Sequence, residues 1–215
     1  EGPGGALAVD ANQPPLAIDL VLLGLAHVVG DVVDLVEVGV LRAAAKGLGE
    51  CLACEVGEDL AASPGKVIYR NRLIELIQYA PKTKRGKVLA EPLLFVPPWI
   101  MKFYILDLSP AKSMVRYLVE QGHTVFMISW KNPDEGDAGL GLNDYLKLGF
   151  MEALDVVGAV VPEQKVNAVG YCAGGTLLSI AAAVMARDGD DWLNTVSTFT
   201  AQTDCSEPGE IKMFL

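Results

Sequence analysis

Apolar positions follow two regimes along the chain, and the change comes at Pro92. In the first, Leu25, Val29, Val32, Val36 and Val40 recur at three- and four-residue steps, with Asp31, Asp34 and Glu37 between them. That spacing predicts a helix, although so many β-branched residues lower its intrinsic propensity and leave packing to support it. Glu1–Pro15 before it, rich in Gly, Pro and Ala, reads as a flexible lead-in, and Ala62-Ser63-Pro64-Gly65 after it as a linker. Val67–Arg70 and Leu73–Tyr79 then predict two short strands turning at Asn71, closed by Ala80-Pro81 and a basic loop (Lys82, Lys84, Arg85, Lys87).

From Pro92 the rhythm is strand, helix, strand, helix. Leu93–Val96, Thr124–Ser129, Val166–Val169 and Thr195–Thr200 read as strands; Ser113–Gln121, Asn143–Val160 and Gly174–Ala186 read as helices between them. Such alternation implies a parallel sheet with helices on both faces and right-handed crossovers. The expected organisation is a helical and flexible segment with its linker over 1–63, and an α/β core over 64–215 that stops about one loop after its fourth strand.

Composition narrows the function classes. Of 215 residues 51% are hydrophobic and 20% charged, which fits a folded rather than a disordered chain. The net charge of −10 is uneven: ten acids face two bases over 1–63. No basic stripe is present of the kind that phosphate contacts require, so a nucleic-acid partner is not expected. The longest uncharged run in the apolar opening, Leu20–Gly30, has eleven residues, against about twenty for a spanning helix. The first Lys or Arg is Arg42, so no signal peptide is expected either; the reading is of a soluble, cytoplasmic protein without a transmembrane segment.

The segment that carries chemistry is Gly170-Tyr171-Cys172-Ala173-Gly174-Gly175-Thr176, a G-x-C-x-G. A nucleophile on a sharp strand-to-helix turn sits in a strained backbone conformation, and its neighbours two residues away must lack bulk. The turn would place Sγ of Cys172 at the sheet's carboxyl edge, where free N–H groups and the helix dipole favour a thiolate. The Ala173 N–H would form one arm of an oxyanion hole. Alone, the pattern fits a buried structural cysteine as well; the strand before, the helix after and the preceding βαβαβ order favour a nucleophile elbow of the α/β-hydrolase fold. A second arm is expected from the loop after the first core strand, Val96-Pro97-Pro98-Trp99-Ile100-Met101-Lys102. There the prolines would orient the Ile100 N–H; a rigid connection with Trp99 packed on the core fits the pattern equally well.

Three stretches together resemble one family. Glu91–Ile100 with Phe103–Pro110, Val115–Trp130 with Asn132-Pro133, and the elbow Gly170–Thr176 resemble the class I polyhydroxyalkanoate synthases, which use Cys where lipases use Ser. The likeness runs from about Glu55 to Leu215, while residues 1–54 match only faintly around Val40–Leu52. The resemblance implies an acyltransferase that polymerises (R)-3-hydroxyacyl-CoA through a cysteine thioester, with coenzyme A thioester as substrate and no cofactor. It also implies association with a cytoplasmic polyester granule and is compatible with a homodimer. In the family a histidine activates the cysteine and an aspartate assists the attacking hydroxyl. Chain order in the fold is nucleophile, acid, histidine, yet His27 and His123 both precede Cys172. The acid and base are therefore expected beyond Leu215, and the chain alone is expected to be inactive. Other readings are a cysteine hydrolase of the dienelactone-hydrolase or thioesterase kind, and a non-catalytic short chain.

Remaining signals are weaker. His123, in the turn entering the second core strand, is expected to be structural and solvent-facing, away from the carboxyl edge. Cys51 and Cys54 form a CxxC without a second ligand pair, so no metal site is expected and the thiols read as inert. Asp204, after the fourth strand, reads as a loop cap rather than the catalytic acid. Tyr104 and Asp107, beside the Pro97–Lys102 loop, fit either a substrate entrance or packing.

Overall fold

A computed structural model of the chain describes residues 57, 60–83, 87–204 and 206. The expected helix around Leu25–Val40, His27, Lys84, Arg85, Cys51, Cys54 and Cys205 lie outside the described residues.

Six strands form one sheet. They are β1 (Gly65–Arg70), β2 (Ile74–Tyr79), β3 (Leu93–Val96), β6 (Val125–Trp130), β7 (Val166–Tyr171) and β8 (Leu193–Phe199), in the spatial order β1-β2-β6-β3-β7-β8. The β1–β2 and β2–β6 pairs are antiparallel; β6, β3, β7 and β8 run parallel. The four parallel strands are those that the alternating rhythm predicts, and the first two form the hairpin expected around Asn71. That turn is held by the Asn71 side chain, whose Oδ1 accepts from the N–H groups of Leu73 (2.8 Å) and Ile74 (2.9 Å).

Between the strands lie α1 (Met114–Glu120), a continuous helical stretch made of α2 (Leu142–Asp144), a π-helical turn (Tyr145–Met151) and α3 (Glu152–Val160), and α4 (Ala173–Asp188). One face of the sheet (Leu76, Leu94, Val96, Phe126, Ile128, Val166, Ala168) packs on Phe150, Leu154 and Val157 of the long helical stretch and on Leu177, Leu178, Ala181 and Met185 of α4. Alternate residues such as Phe95 and Met127 point the other way and are equally buried. Strand β8 is the outermost strand of the sheet among the described residues, and Asn194–Thr198 are exposed there.

Two expectations are corrected. The Asn143–Val160 helix is not uniform, since seven of its residues take the wider π turn. Nor is Ala62–Gly65 a loose linker: Gly65 already belongs to β1, and Ser63 is tied to the core. The anchor is Asp107, 1% exposed, in a short hairpin of β4 (Asp107–Ser109) and β5 (Lys112–Ser113) that the hydrophobic pattern did not predict. Its carboxylate accepts from the Ser63 N–H (3.1 Å), the Ser63 hydroxyl (2.7 Å) and the Ser113 hydroxyl (2.5 Å). Ser113 in turn caps α1 by accepting from the Arg116 N–H at 2.8 Å. Asp107 is thus a packing residue joining the segment before β1 to β4 and to the cap of α1, which decides between the two roles open to it in the sequence.

Removing this carboxylate leaves the buried Ser113 hydroxyl and two half-buried donors of Ser63 to find other acceptors. Asp107→Ala is expected to lower unfolding free energy by about 2–3 kcal/mol, read as a fall in the urea midpoint at constant slope; an unchanged midpoint would contradict the anchoring role.

Candidate active site

Cys172 lies between the end of β7 and the first residue of α4, at the carboxyl edge of the parallel strands. Its backbone has φ 51° and ψ −126°, in the left-handed half of the map that side chains other than Gly rarely occupy. Hydrogen bonds hold it there. The Cys172 N–H donates to the Phe199 carbonyl (3.1 Å), and its own carbonyl accepts from Gly175 (2.9 Å) and Thr176 (3.2 Å), opening the helix. The Ala173 and Gly174 N–H groups precede the first intrahelical donor and, among the described hydrogen bonds, have no protein acceptor. The thiol is free and half-buried.

The glycines are required by close backbone approach. A Cβ on Gly174 would sit 2.0 Å from the Val96 carbonyl oxygen and 2.6 Å from that of Pro97. One on Gly170 would lie 2.4 Å from the Gly175 Cα, and one on Gly175 2.5 Å from the Ala201 Cβ. The start of α4 is therefore pressed directly onto the end of β3 and the loop that follows it. Residues 200–204 close the other side, with the Thr176 hydroxyl donating to the Gln202 carbonyl at 2.8 Å. Tyr171 stacks on Phe199 at 4.9 Å. Burial first, and the charge of neighbouring Cys172 second, push the Tyr171 hydroxyl above its ordinary pKa, against a hydrogen bond with Thr200 that lowers it. The phenol thus stays neutral beside the thiol.

The Pro97–Lys102 loop forms a turn in which the Met101 N–H donates to the Pro98 carbonyl at 3.3 Å. The Ile100 N–H lies inside this turn and has no protein acceptor among the described hydrogen bonds. Its side chain is 72% exposed, so only its backbone is a candidate contributor. Trp99 is half-buried and sits in an aromatic cluster, with ring centroids 6.5 Å from Trp130 and 5.2 Å from Tyr145. The loop is thus a packed connection, and its Ile100 amide is left without a protein acceptor among the described hydrogen bonds. A cavity of about 580 Å³ runs along it, lined in part by Trp99, Ile100, Lys102, Tyr104 and Asn132, with the Lys102 ammonium donating to Asn132 Oδ1 at 2.8 Å.

Three features of this edge escaped the sequence pattern. Trp130, read only as the residue after a strand, belongs to β6 and donates its indole N–H to the Pro97 carbonyl at 2.7 Å. Tyr145 and Gly149 of the π turn complete its surroundings. A signal was present: an indole needs a buried acceptor, and a glycine inside a helix often marks a close neighbour.

The other candidates fall elsewhere. His123 precedes β6, at the sheet edge opposite Cys172. It is half-buried rather than solvent-facing; its Nδ1 has no partner among the described residues, and burial pulls its pKa below the ordinary value. The reason is that the turn after α1 folds back, with the His123 N–H donating to the Leu118 carbonyl. Asp204 caps its loop by accepting from the Ser206 N–H at 2.9 Å. Among the described residues no group of three or more His, Cys, Asp or Glu could hold a metal ion, and no helix is long and apolar enough to cross a membrane.

Residues 20–118 match the family model for the poly-beta-hydroxybutyrate polymerase (PhaC) N-terminus. The poly(3-hydroxyalkanoate) polymerase of Methylorubrum extorquens is 48% identical over 158 residues, 74% of this chain. This chain belongs to the poly(3-hydroxyalkanoate) polymerase family. The PhaC subunits of Rhizobium meliloti and Cupriavidus necator are 44% and 43% identical over 160 and 163 residues. The chain spans about a quarter of the length of these polymerases, 26%, 26% and 27% respectively. Among solved structures, a fungal esterase from Rhizomucor miehei matches with TM-score 0.50 at 16% identity, over 71% of this chain and 48% of that one. An alpha/beta hydrolase from the metagenome of Lake Arreo matches with TM-score 0.51 at 15% identity, over 73% and 49%. Likeness at that identity concerns the fold, which is that of the α/β hydrolases.

Two substitutions test the turn at Cys172. Gly174→Ala forces the Val96–Pro97 backbone to move and is expected to cost about 1–3 kcal/mol by overpacking. Cys172→Gly, in contrast, is expected to be at least as stable as Cys172→Ala in urea, because relief of left-handed strain offsets the usual glycine cost of about 1 kcal/mol. A glycine variant clearly less stable than the alanine variant would contradict the strained turn.

Proposed function

We infer that this chain carries the nucleophile part of a polyester synthase, in which Cys172 accepts a hydroxyacyl group from coenzyme A. The observation that supports this most is the conjunction of a strained cysteine turn, two free N–H groups at the head of α4, and 43–48% identity to named poly(3-hydroxyalkanoate) polymerases. In the reading, the Cys172 thiolate attacks the thioester carbonyl. The new C–S bond forms as the carbonyl oxygen becomes an oxyanion held by the Ala173 N–H and, from the Pro98–Met101 turn, the Ile100 N–H. Collapse breaks the bond to coenzyme A, whose sulfur leaves and takes up a proton.

The acyl group on Cys172 then meets the hydroxyl of a second hydroxyacyl unit. That oxygen gives its proton to a base and attacks the thioester, an ester bond forms, and the cysteine thiol is released. Exchange between two thioesters is nearly neutral in free energy, so a thiol nucleophile suits a cycle that repeats many times. His123 is at the wrong edge for the base, so the histidine and the acid are assigned to polypeptide beyond this chain. Location at a cytoplasmic polyester granule belongs to the same reading.

A cysteine hydrolase would share the elbow but deliver the acyl group to water. Product analysis on a complete polymerase containing this segment separates the two. Polymer with release of coenzyme A is expected, and Cys172→Ala should lower its formation on the order of 10⁴-fold or more; free hydroxy acid as the only product would overturn the synthase reading. On the chain itself, iodoacetamide is expected to label Cys172 well before Cys51, Cys54 or Cys205. Equal labelling of all four would argue against an activated elbow.

A further inference from the structure

Trp130 ends β6 two strands away from the elbow, yet its indole reaches the loop beside Cys172. Its N–H donates to the Pro97 carbonyl at 2.7 Å, and its ring is almost fully buried. The same carbonyl oxygen lies against Gly174, within 2.6 Å of where a Cβ would be. Pro97 O is thus fixed between the indole and the first turn of α4.

The consequences run along the chain. Orienting the Pro97 carbonyl orients the whole Pro97–Pro98 peptide plane, and the Pro98 ring restricts the next φ. The following carbonyl closes the turn onto the Met101 N–H. Little rotational freedom then remains between the indole bond and the Ile100 amide. Trp130 also packs against Trp99 and, at 5.3 Å, Tyr145, so it holds the loop's side chain as well as its backbone. The π turn makes room for this: a Cβ on Gly149 would lie 2.4 Å from Trp130 Cη2 and 2.5 Å from Cζ3. Irregular helical turns of this type are frequent near functional sites.

We propose that Trp130 is a positioning residue for acyl transfer, its indole N–H setting the Pro97 carbonyl and through it the Ile100 amide that receives the developing oxyanion. The proposal rests on the reading of Cys172 as an acyl-accepting nucleophile. It predicts that loss of the indole N–H slows reactions that build an oxyanion and spares those that do not.

The test compares two reagents on a complete polymerase containing this segment, with the adduct at Cys172 followed by peptide mass mapping. 4-Nitrophenyl acetate acylates the thiol through a tetrahedral oxyanion, forming the C–S bond and releasing nitrophenolate. Iodoacetamide alkylates the same sulfur by displacement of iodide, with no oxyanion. Trp130→Phe is expected to lower the ratio of acylation to alkylation by about 10- to 100-fold, as donor loss or misplacement does elsewhere, with the alkylation rate within twofold of wild type. An unchanged ratio, or equal slowing of both reactions, overturns the proposal and leaves Trp130 a packing residue. If Trp130→Phe does not fold, Gly149→Ala, which displaces the ring, is read by the same ratio. Absence of acylation at Cys172 in the wild type would instead overturn the nucleophile reading itself, and the positioning role with it.

Discussion

The arrangement at the carboxyl edge depends on one constraint: three stretches of backbone meet with no side chain between them. Gly174 abuts the carbonyls of Val96 and Pro97, and Gly170 abuts Gly175. This contact brings the head of α4 onto the end of β3, the strand that neighbours β7 in the sheet. A methyl group at either place would push the helix away, and with it the Ala173 and Gly174 N–H groups that have no protein acceptor among the described hydrogen bonds. The small residues are therefore a packing requirement.

Around that contact the chain holds Cys172 in a conformation that costs on the order of 1–3 kcal/mol. Its own N–H and carbonyl are both satisfied, by Phe199 on one side and by Gly175 and Thr176 on the other. Those bonds offset the strain and also fix where the sulfur projects. The neighbouring Pro97–Lys102 loop is held from a third direction, by the Trp130 indole and by the Lys102–Asn132 hydrogen bond. Hydrogen-bonded elements thus surround the thiol on several sides.

Much of this was legible in the sequence, for identifiable reasons. The core strands announce themselves as short apolar runs bounded by Pro, Gly and polar residues, and the Gly170–Gly175 spacing became informative only with the strand before it and the helix after it. Asn71 at its turn was legible because its side chain replaces backbone partners locally. Interactions between distant residues were not: nothing near Ser63 in sequence points to a carboxylate forty-four residues away, and a hydrophobic window cannot distinguish a π turn from an α-helix. His123 looked solvent-facing because it follows a glycine in a turn, whereas the fold-back after α1 half-buries it. Trp130 was visible as an aromatic strand end, but its acceptor lies thirty-three residues earlier, in another strand's loop.

The central claim is that Cys172 becomes acylated as a thioester. Incubation of a complete polymerase containing this segment with (R)-3-hydroxybutyryl-CoA, followed by proteolysis and mass mapping, tests it most directly. The account predicts a hydroxybutyryl adduct on the peptide bearing Cys172, removed by neutral hydroxylamine and absent from Cys172→Ser treated in the same way. An adduct spread evenly over Cys51, Cys54, Cys172 and Cys205, or none on Cys172 under conditions where free coenzyme A is released, would contradict it.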